Sequence, residues 1–226
     1  MTVNTAKVAD RRRLRFATVD EMLADVDYSP LRTRLELVLQ KMFKAEDQTK
    51  EKKMFIANIT DEVDRLGELH DLVVELGGNA IMLNTMPVGL SAVRAISKKS
   101  KIPIFSHFDF IAPFTRVPYF GVHSTLITKI QRLAGCDGII MPGLGKRMLV
   151  PEKEVKENVD ACLYNMKFIA ESLPIPGGSD WAGSLAPMIR AFGTTDFSMV
   201  PGRAVFGHPN GPEGGARSFR QAREAY

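Results

Sequence analysis

Six short apolar runs recur along the chain, each closed by a polar or Gly/Pro cluster: Met54–Asn58, Ala80–Asn84, Ile102–Ser106, Gly138–Pro142, Ser172–Pro176 and Asp196–Pro201. None alternates apolar with polar residues. A half-exposed strand would show that alternation, so uninterrupted short runs fit strands buried on both faces, as in a parallel sheet. The runs start 26, 22, 36, 34 and 24 residues apart. That spacing is the length of a strand, a helix and two connections, repeated.

Helical patterns fill the gaps. Leu31, Leu35, Val38, Leu39 and Met42 lie on one helical face. Thr60 is placed to cap a helix running through Leu66, Leu69, Val73 and Leu76 and stopped by Gly77 and Gly78. Val122, Leu126, Ile130 and Leu133 predict a second buried stripe, ended by Gly135. Pro151 suits a first helical turn before Val155, Val159 and Cys162. Ser184–Phe192 reads as a helix closed by Gly193, and Gly214–Tyr226 is helical in character. Strands alternating with helices imply an α/β fold with a parallel sheet. A parallel (β/α) TIM-type barrel is favoured over a doubly wound sheet. No G-x-G-x-x-G follows an early strand, and glycine clusters follow the last two runs, where barrels build phosphate sites. The residues supply about six to seven of the eight strands of a closed barrel, with Leu14–Val19 as a further strand.

Composition narrows the class. The 226 residues are 45% hydrophobic and 25% charged, as in one ordinary globular domain. There is no apolar stretch of about 18 residues to span a membrane and no basic-then-apolar leader pattern, so the expected location is the cytoplasm. The net charge of +4 is local: residues 1–15 carry five cations and one carboxylate. A short basic tail without interleaved aromatics argues against nucleic acid as a partner. Cys136 and Cys162 have no metal-ligand spacing and read as inert thiols.

In a barrel the chemistry sits where strands end. Those positions hold Asn58 and Asp61, Asn84, His107 and Asp109, Gly143–Lys146, Gly177–Asp180, and Gly202–Arg203 followed by His208. His107 follows a buried run directly and can move protons near neutral pH, or serve as a core-edge histidine. Gly177, Gly178 and Ser179, with Gly202 and Arg203, can offer backbone N–H groups and a guanidinium to a phosphate, or form tight turns. Lys146 sits on a glycine-containing loop or is a solvated surface lysine. Asp20 and Glu21 can hold Mg²⁺ or open a helix with its dipole. His70, His123 and His208 read as structural.

Two longer stretches are specific. Gly121–Gly143 (GVHSTLITKIQRLAGCDGIIMPG) and Pro176–Ala216 (PGGSDWAGSLAPMIRAFGTTDFSMVPGRAVFGHPNGPEGGA) resemble the C-terminal barrel of the RuBisCO large-chain superfamily. The details are most similar to the RuBisCO-like proteins of photosynthetic bacteria. The likeness runs from about Asp20 to Tyr226, which divides the chain into a divergent basic segment, 1–17, and a barrel domain, 18–226. It implies a Mg²⁺ site at Asp20 and Glu21, catalytic roles for Asn58, His107 and Lys146, and a phosphate site at Gly177, Gly178, Ser179, Gly202 and Arg203. It implies a phosphorylated sugar as substrate and a homodimer as the family's assembly.

Departures from the family pattern decide which reaction is implied. The metal-binding lysine two positions before the acidic pair is matched by Thr18. The carboxylase arginine after the catalytic histidine is matched by Phe108, and a second histidine by Ile140. These oppose CO₂ fixation and a true carboxylase fragment. The resemblance implies a Mg²⁺-assisted enolase or isomerase of the methylthio-sugar, sulfur-salvage kind. The family's N-terminal α+β domain and first barrel strand find no match, so the chain reads as a truncated copy with doubtful independent activity. The alternative is a non-catalytic remnant or a phosphate-binding or interaction module.

Overall fold

The computed structural model describes residues 25–117, 119–145 and 148–226, together with the backbone of 16–18. Six parallel strands lie side by side in chain order: β1 (Phe16–Thr18), β2 (Met54–Asn58), β3 (Ala80–Asn84), β4 (Ile104–His107), β5 (Gly138–Pro142) and β6 (Leu173–Gly177). Helices return the chain between them. These are α1 (Leu31–Thr49), α2 (Leu66–Glu75), the short α3 (Thr85–Val88) with α4 (Leu90–Lys99), the short α5 (Ala112–Thr115) with α6 (Ser124–Ala134), and α7 (Glu152–Leu163). After β6 come α8 (Leu185–Phe192), α9 (Gly202–Phe206) and α10 (Gly211–Glu224).

The two faces of the sheet are packed differently. Phe55, Ala57, Ile81, Leu83, Ile104, Ile139 and Met141 face the helices and share one core with Leu35, Leu39, Val73, Val93, Val159 and Phe192. Met54, Ile56, Ala80, Met82, Phe105, Ile140, Leu173 and Ile175 form a second cluster whose buried members are all strand residues. A doubly wound sheet carries helices on both faces. Helices on one face, with strand side chains from β2 to β6 meeting on the other, make the wall of a barrel. Gly138 belongs to the inner face: a Cβ there would lie 2.3 Å from the ring of Phe105, which occupies that space.

The apolar runs predict five of the strands to within two residues. The sixth, Asp196–Pro201, is not a strand. It lies beside β6, joined by Ser198 N–H to Pro174 O at 2.9 Å, with Phe197 and Met199 against the outer core. The reason lies in β6: Pro174 and Pro176 have no N–H to give that neighbour, so half of the possible ladder is missing. Leu14–Val19 contains β1, of which only Phe16–Thr18 falls within the described residues.

Two helix readings need correction. The stripe expected on α6 is turned outward: Leu126 and Leu133 are 52% and 50% exposed. The helix buries Ser124, Ile127, Thr128, Gln131, Arg132 and Ala134 instead. Asn158 of α7 receives this polar face. Its Oδ1 accepts from Thr128 Oγ1 at 2.6 Å, and its Nδ2 donates to Ser124 Oγ at 2.7 Å. Arg132 is buried by donating to the carbonyls of Ala161 and Ala170. Polar side chains paired with one another can replace an apolar stripe. The second correction concerns Thr60, which caps no helix, since α2 begins at Leu66. Both cysteines are buried free thiols, and burial pushes the Cys136 thiol up. No helix among the described residues is long and apolar enough to cross a membrane.

Candidate functional site

Side chains alternate along a strand, so parity fixes which ones share a face. With Met54, Ile56, Ala80, Met82, Phe105, Ile140, Leu173 and Ile175 inward, the last residues of β2 to β6 also face inward. These are Asn58, Asn84, His107, Pro142 and Gly177. The strands are parallel, so these residues ring one end of the barrel wall.

Two of them, Asn58 and Asn84, are linked through Thr60, and His107 lies on the next strand. Thr60 Oγ1 donates to Asn58 Oδ1 at 2.7 Å, and the Thr60 N–H donates to the same oxygen at 2.9 Å. The hydroxyl in turn accepts the Asn84 N–H at 2.9 Å. With Asn58 Oδ1 committed to Thr60, the Nδ2 hydrogens are what its amide can donate. Asn84 is in register with His107 on β4. His107 is 7% exposed and stacks on Phe108, ring centroids 4.6 Å apart. Its Nδ1 lies 3.2 Å from Asp109 Oδ1. Asp61, by contrast, pairs with Arg65 at 2.8 Å and serves the structure.

The glycine loops form a second group. Gly143 N–H donates to Gly177 O at 2.9 Å. A Cβ on Gly145 would fall 1.9 Å from Gly178 O, so the loops after β5 and β6 touch backbone to backbone. The glycines around Leu144 thus permit this contact. Gly178 and Ser179 both have positive φ, 151° and 60°. Asp180 is buried at 6% exposure. The backbone N–H groups of Gly178 and Val200 favour its charged form, one from the loop after β6 and one from the segment that leads into α9. Burial nevertheless dominates and pushes its carboxyl up to about 6. Its Oδ2 is a buried oxygen without a hydrogen-bond partner among the described residues. Gly202 and Arg203 open α9 after Val200 and Pro201, and Arg203 is exposed.

The structure therefore brings Asn58 and His107 to one rim, and Gly177, Gly178 and Ser179 to the Val200–Arg203 segment. Asp20, Glu21 and Lys146 lie outside the described residues. Asn84, Asp109 and Asp180 were visible in the sequence only as strand-end positions. Their tie to His107, or to the glycine loops, needed coordinates. His70, His123 and His208 each make hydrogen bonds to nearby groups. His70 pairs with Asp71 and Ser100, His123 caps α6, and His208 accepts the Asn210 N–H.

A cavity of about 550 Å³ opens beside this rim, lined among others by Phe108, Asp109, Arg116, Met148, Glu154 and Asn158. The implied Mg²⁺ finds no support in the described residues: they contain no group of three or more His, Cys, Asp and Glu side chains able to hold a metal. Thr18 ends β1. The two carboxylates that the resemblance assigns to the ion, Asp20 and Glu21, lie outside the described residues.

Residues 8–226 match the family model of the ribulose bisphosphate carboxylase large chain, catalytic domain. The chain is 56% identical over 212 residues to the ribulose bisphosphate carboxylase-like protein of Allochromatium vinosum, covering 94% of this chain and 46% of that one. Among solved structures, a rubisco-like protein from Burkholderia fungorum superposes with a TM-score of 0.88 at 27% identity, covering 93% of this chain and 52% of that one. The octameric ribulose-1,5-bisphosphate carboxylase/oxygenase from Pyrococcus horikoshii OT3 gives 0.88 at 26%, covering 97% and 52%. The chain spans about half the length of the relatives it matches. The family model spans nearly the whole chain, and the solved structures share its barrel fold, so the chain belongs to the RuBisCO large-chain catalytic-domain family.

Proposed function

We propose that the chain carries the barrel part, residues 18–226, of a RuBisCO-like enolase or isomerase acting on a phosphorylated sugar of the methylthio-sugar kind, and not of a CO₂-fixing carboxylase. The observation that carries this reading is His107 on the inner rim, held by Asp109, with the Asn58–Thr60–Asn84 link beside it. A buried imidazole at that position can take a proton next to a carbonyl. The Asn58 amide can hydrogen-bond the oxygen on which enolate charge develops. The touching glycine loops and Arg203 supply N–H groups and a cation for the phosphate. Two residues oppose carboxylation. Phe108 packs against the inner cluster and His107 where the resemblance places an arginine, and Ile140 is buried in that cluster where it places a histidine. By the same resemblance the working form is a homo-oligomer, and Asp20, Glu21 and Lys146 complete its site, with Mg²⁺ as its ion.

The test is deuterium incorporation at the α-carbon of a ketose phosphate in D₂O. Incorporation that disappears in His107→Ala is the expected result. A second reading, a phosphate-binding module without turnover, rests on Asp180. It is buried between Gly178 and Val200, whose N–H groups act on its carboxylate, so the loop after β6 and the segment into α9 come together among described residues. Thermal stabilisation by phosphate without any exchange would select that reading. No exchange and no stabilisation would overturn both.

A further inference from the structure

Asp109 presents two opposite hydrogen-bonding groups to the same nitrogen of His107. Asp109 Oδ1, an acceptor, lies 3.2 Å from His107 Nδ1. The Asp109 backbone N–H, a donor, lies 3.3 Å from it. A neutral imidazole carries one proton, on Nδ1 or on Nε2. With the proton on Nδ1, the ring donates to the carboxylate. With the proton on Nε2, Nδ1 accepts the N–H. A single partner would fix one tautomer; here each tautomer has its own.

The local backbone is bent to make this possible. Ile111 N–H donates to Phe108 O at 3.1 Å and closes a tight turn. Within that turn Phe110 takes φ 66°, a conformation side chains other than glycine rarely adopt. The turn folds Asp109 back over the end of β4. Phe108 stacks on the ring at an interplanar angle of 21°, limiting its rotation. Asp109 Oδ2 is buried with no hydrogen-bond partner among the described residues. The other charged groups lining the adjoining cavity, Arg116 and Glu154, are held elsewhere. Arg116 donates to Met148 O, and Glu154 accepts the Ser124 hydroxyl at 2.5 Å.

We propose that Asp109 is a positioning residue that keeps both neutral tautomers of His107 accessible, so that Nε2 is a proton acceptor in one and a hydrogen-bond donor in the other. This deepens the enolisation reading and rests on it for its chemical use. As acceptor, the Nε2 lone pair takes the substrate's proton, and the resulting cationic ring is held by the Asp109 carboxylate. As donor, Nε2–H hydrogen-bonds to the carbonyl oxygen while enolate charge forms there. Either use needs only relocation of a ring proton, with no movement of the chain.

The experiment is long-range ¹H–¹⁵N correlation of the histidine rings in the full chain at alkaline pH. His107→Ala identifies the His107 signals among the four histidines. In the parent protein both ring nitrogens are expected at intermediate shifts, the average of two tautomers. In Asp109→Ala the carboxylate acceptor is gone while the backbone donor to Nδ1 stays, so the ring shifts towards the tautomer with its proton on Nε2. Asp109→Asn keeps a carbonyl acceptor and the side-chain shape, and restores part of the averaging. Superposable backbone amide spectra show that the variants are folded. A single tautomer in the parent protein, or identical ring shifts in the parent and both variants, overturns the proposal. These shifts need no substrate, so failure to find an enolised sugar would sink the proposed function and leave them standing. With a substrate in hand, Asp109→Ala slows α-proton exchange roughly 10–100-fold.

Discussion

The hydroxyl of Thr60 donates to Oδ1 of Asn58 at 2.7 Å. It also accepts the Asn84 N–H, so one side chain outside any regular element joins the ends of β2 and β3. Thr60→Val keeps the shape and deletes both bonds. An unsatisfied buried polar group costs about 1–3 kcal/mol. The expected result is a Tm lower by roughly 2–4 °C per kcal/mol, with Thr60→Ser close to the parent protein. An unchanged Tm in Thr60→Val would show that the link contributes nothing to stability.

Asp180 makes stability depend on pH with an unusual sign. Its carboxyl is raised from 3.8 to about 6 by burial, so folding favours the neutral form. That stabilisation is complete below about 3.8, is lost as pH rises through about 6, and is absent above it. Two units correspond to on the order of 3 kcal/mol. Asp180→Asn imitates the neutral group. Denaturant titrations should therefore find the variant more stable than the parent above pH 7, with the gap narrowing towards pH 4. A parent protein that gains stability relative to the variant with rising pH would contradict the burial argument.

The seam between α6 and α7 predicts non-additivity. Asn158→Ala strands the Thr128 hydroxyl and one partner of Ser124, and should cost about 2–4 kcal/mol. Replacing the group together, as Ser124→Ala, Thr128→Val and Asn158→Leu, removes the polar atoms along with their partners. Urea unfolding should then show the triple variant less destabilised than Asn158→Ala alone. Additive losses would mean that the three side chains are independent.

Gly145→Ala tests the contact between the loops. The added methyl would overlap the Gly178 carbonyl, forcing the loop after β5 away from the loop after β6. Overpacking of this kind costs about 1–3 kcal/mol. Calorimetry should register weaker phosphate binding as well as a lower Tm. Phosphate affinity unchanged by the substitution would separate the anion site from this contact.

The strands were legible because parallel strands are buried on both faces and read as bare apolar runs. Helix α1 was legible because its buried Leu31, Leu35, Leu39 and Met42 repeat at helical spacing. Helix α6 was not: its inner face is polar, satisfied by Asn158 and by backbone carbonyls 29 and 38 residues away, and no local pattern announces partners so distant. Asp196–Pro201 failed for a related reason. Its own residues suit a strand, but whether it pairs depends on Pro174 and Pro176 in its neighbour. At the site, His107, Asn58 and the glycines could be named from strand-end position and resemblance. The Asp109 turn and the Asp180 bridge could not, because their meaning lies in which atom each carboxylate reaches.

The inward parity of the strand ends has a consequence for how such a site can vary. β2, β3, β5 and β6 are each five residues long, so each begins and ends on the inner face. Adding or removing one residue would swing every later side chain of that strand, including Asn58, Asn84 or Gly177, into the helical layer. Strand length in this barrel can change only in steps of two. New chemistry can enter by exchanging the terminal residue or by rebuilding the loop behind it, while the spacing along the strand stays fixed.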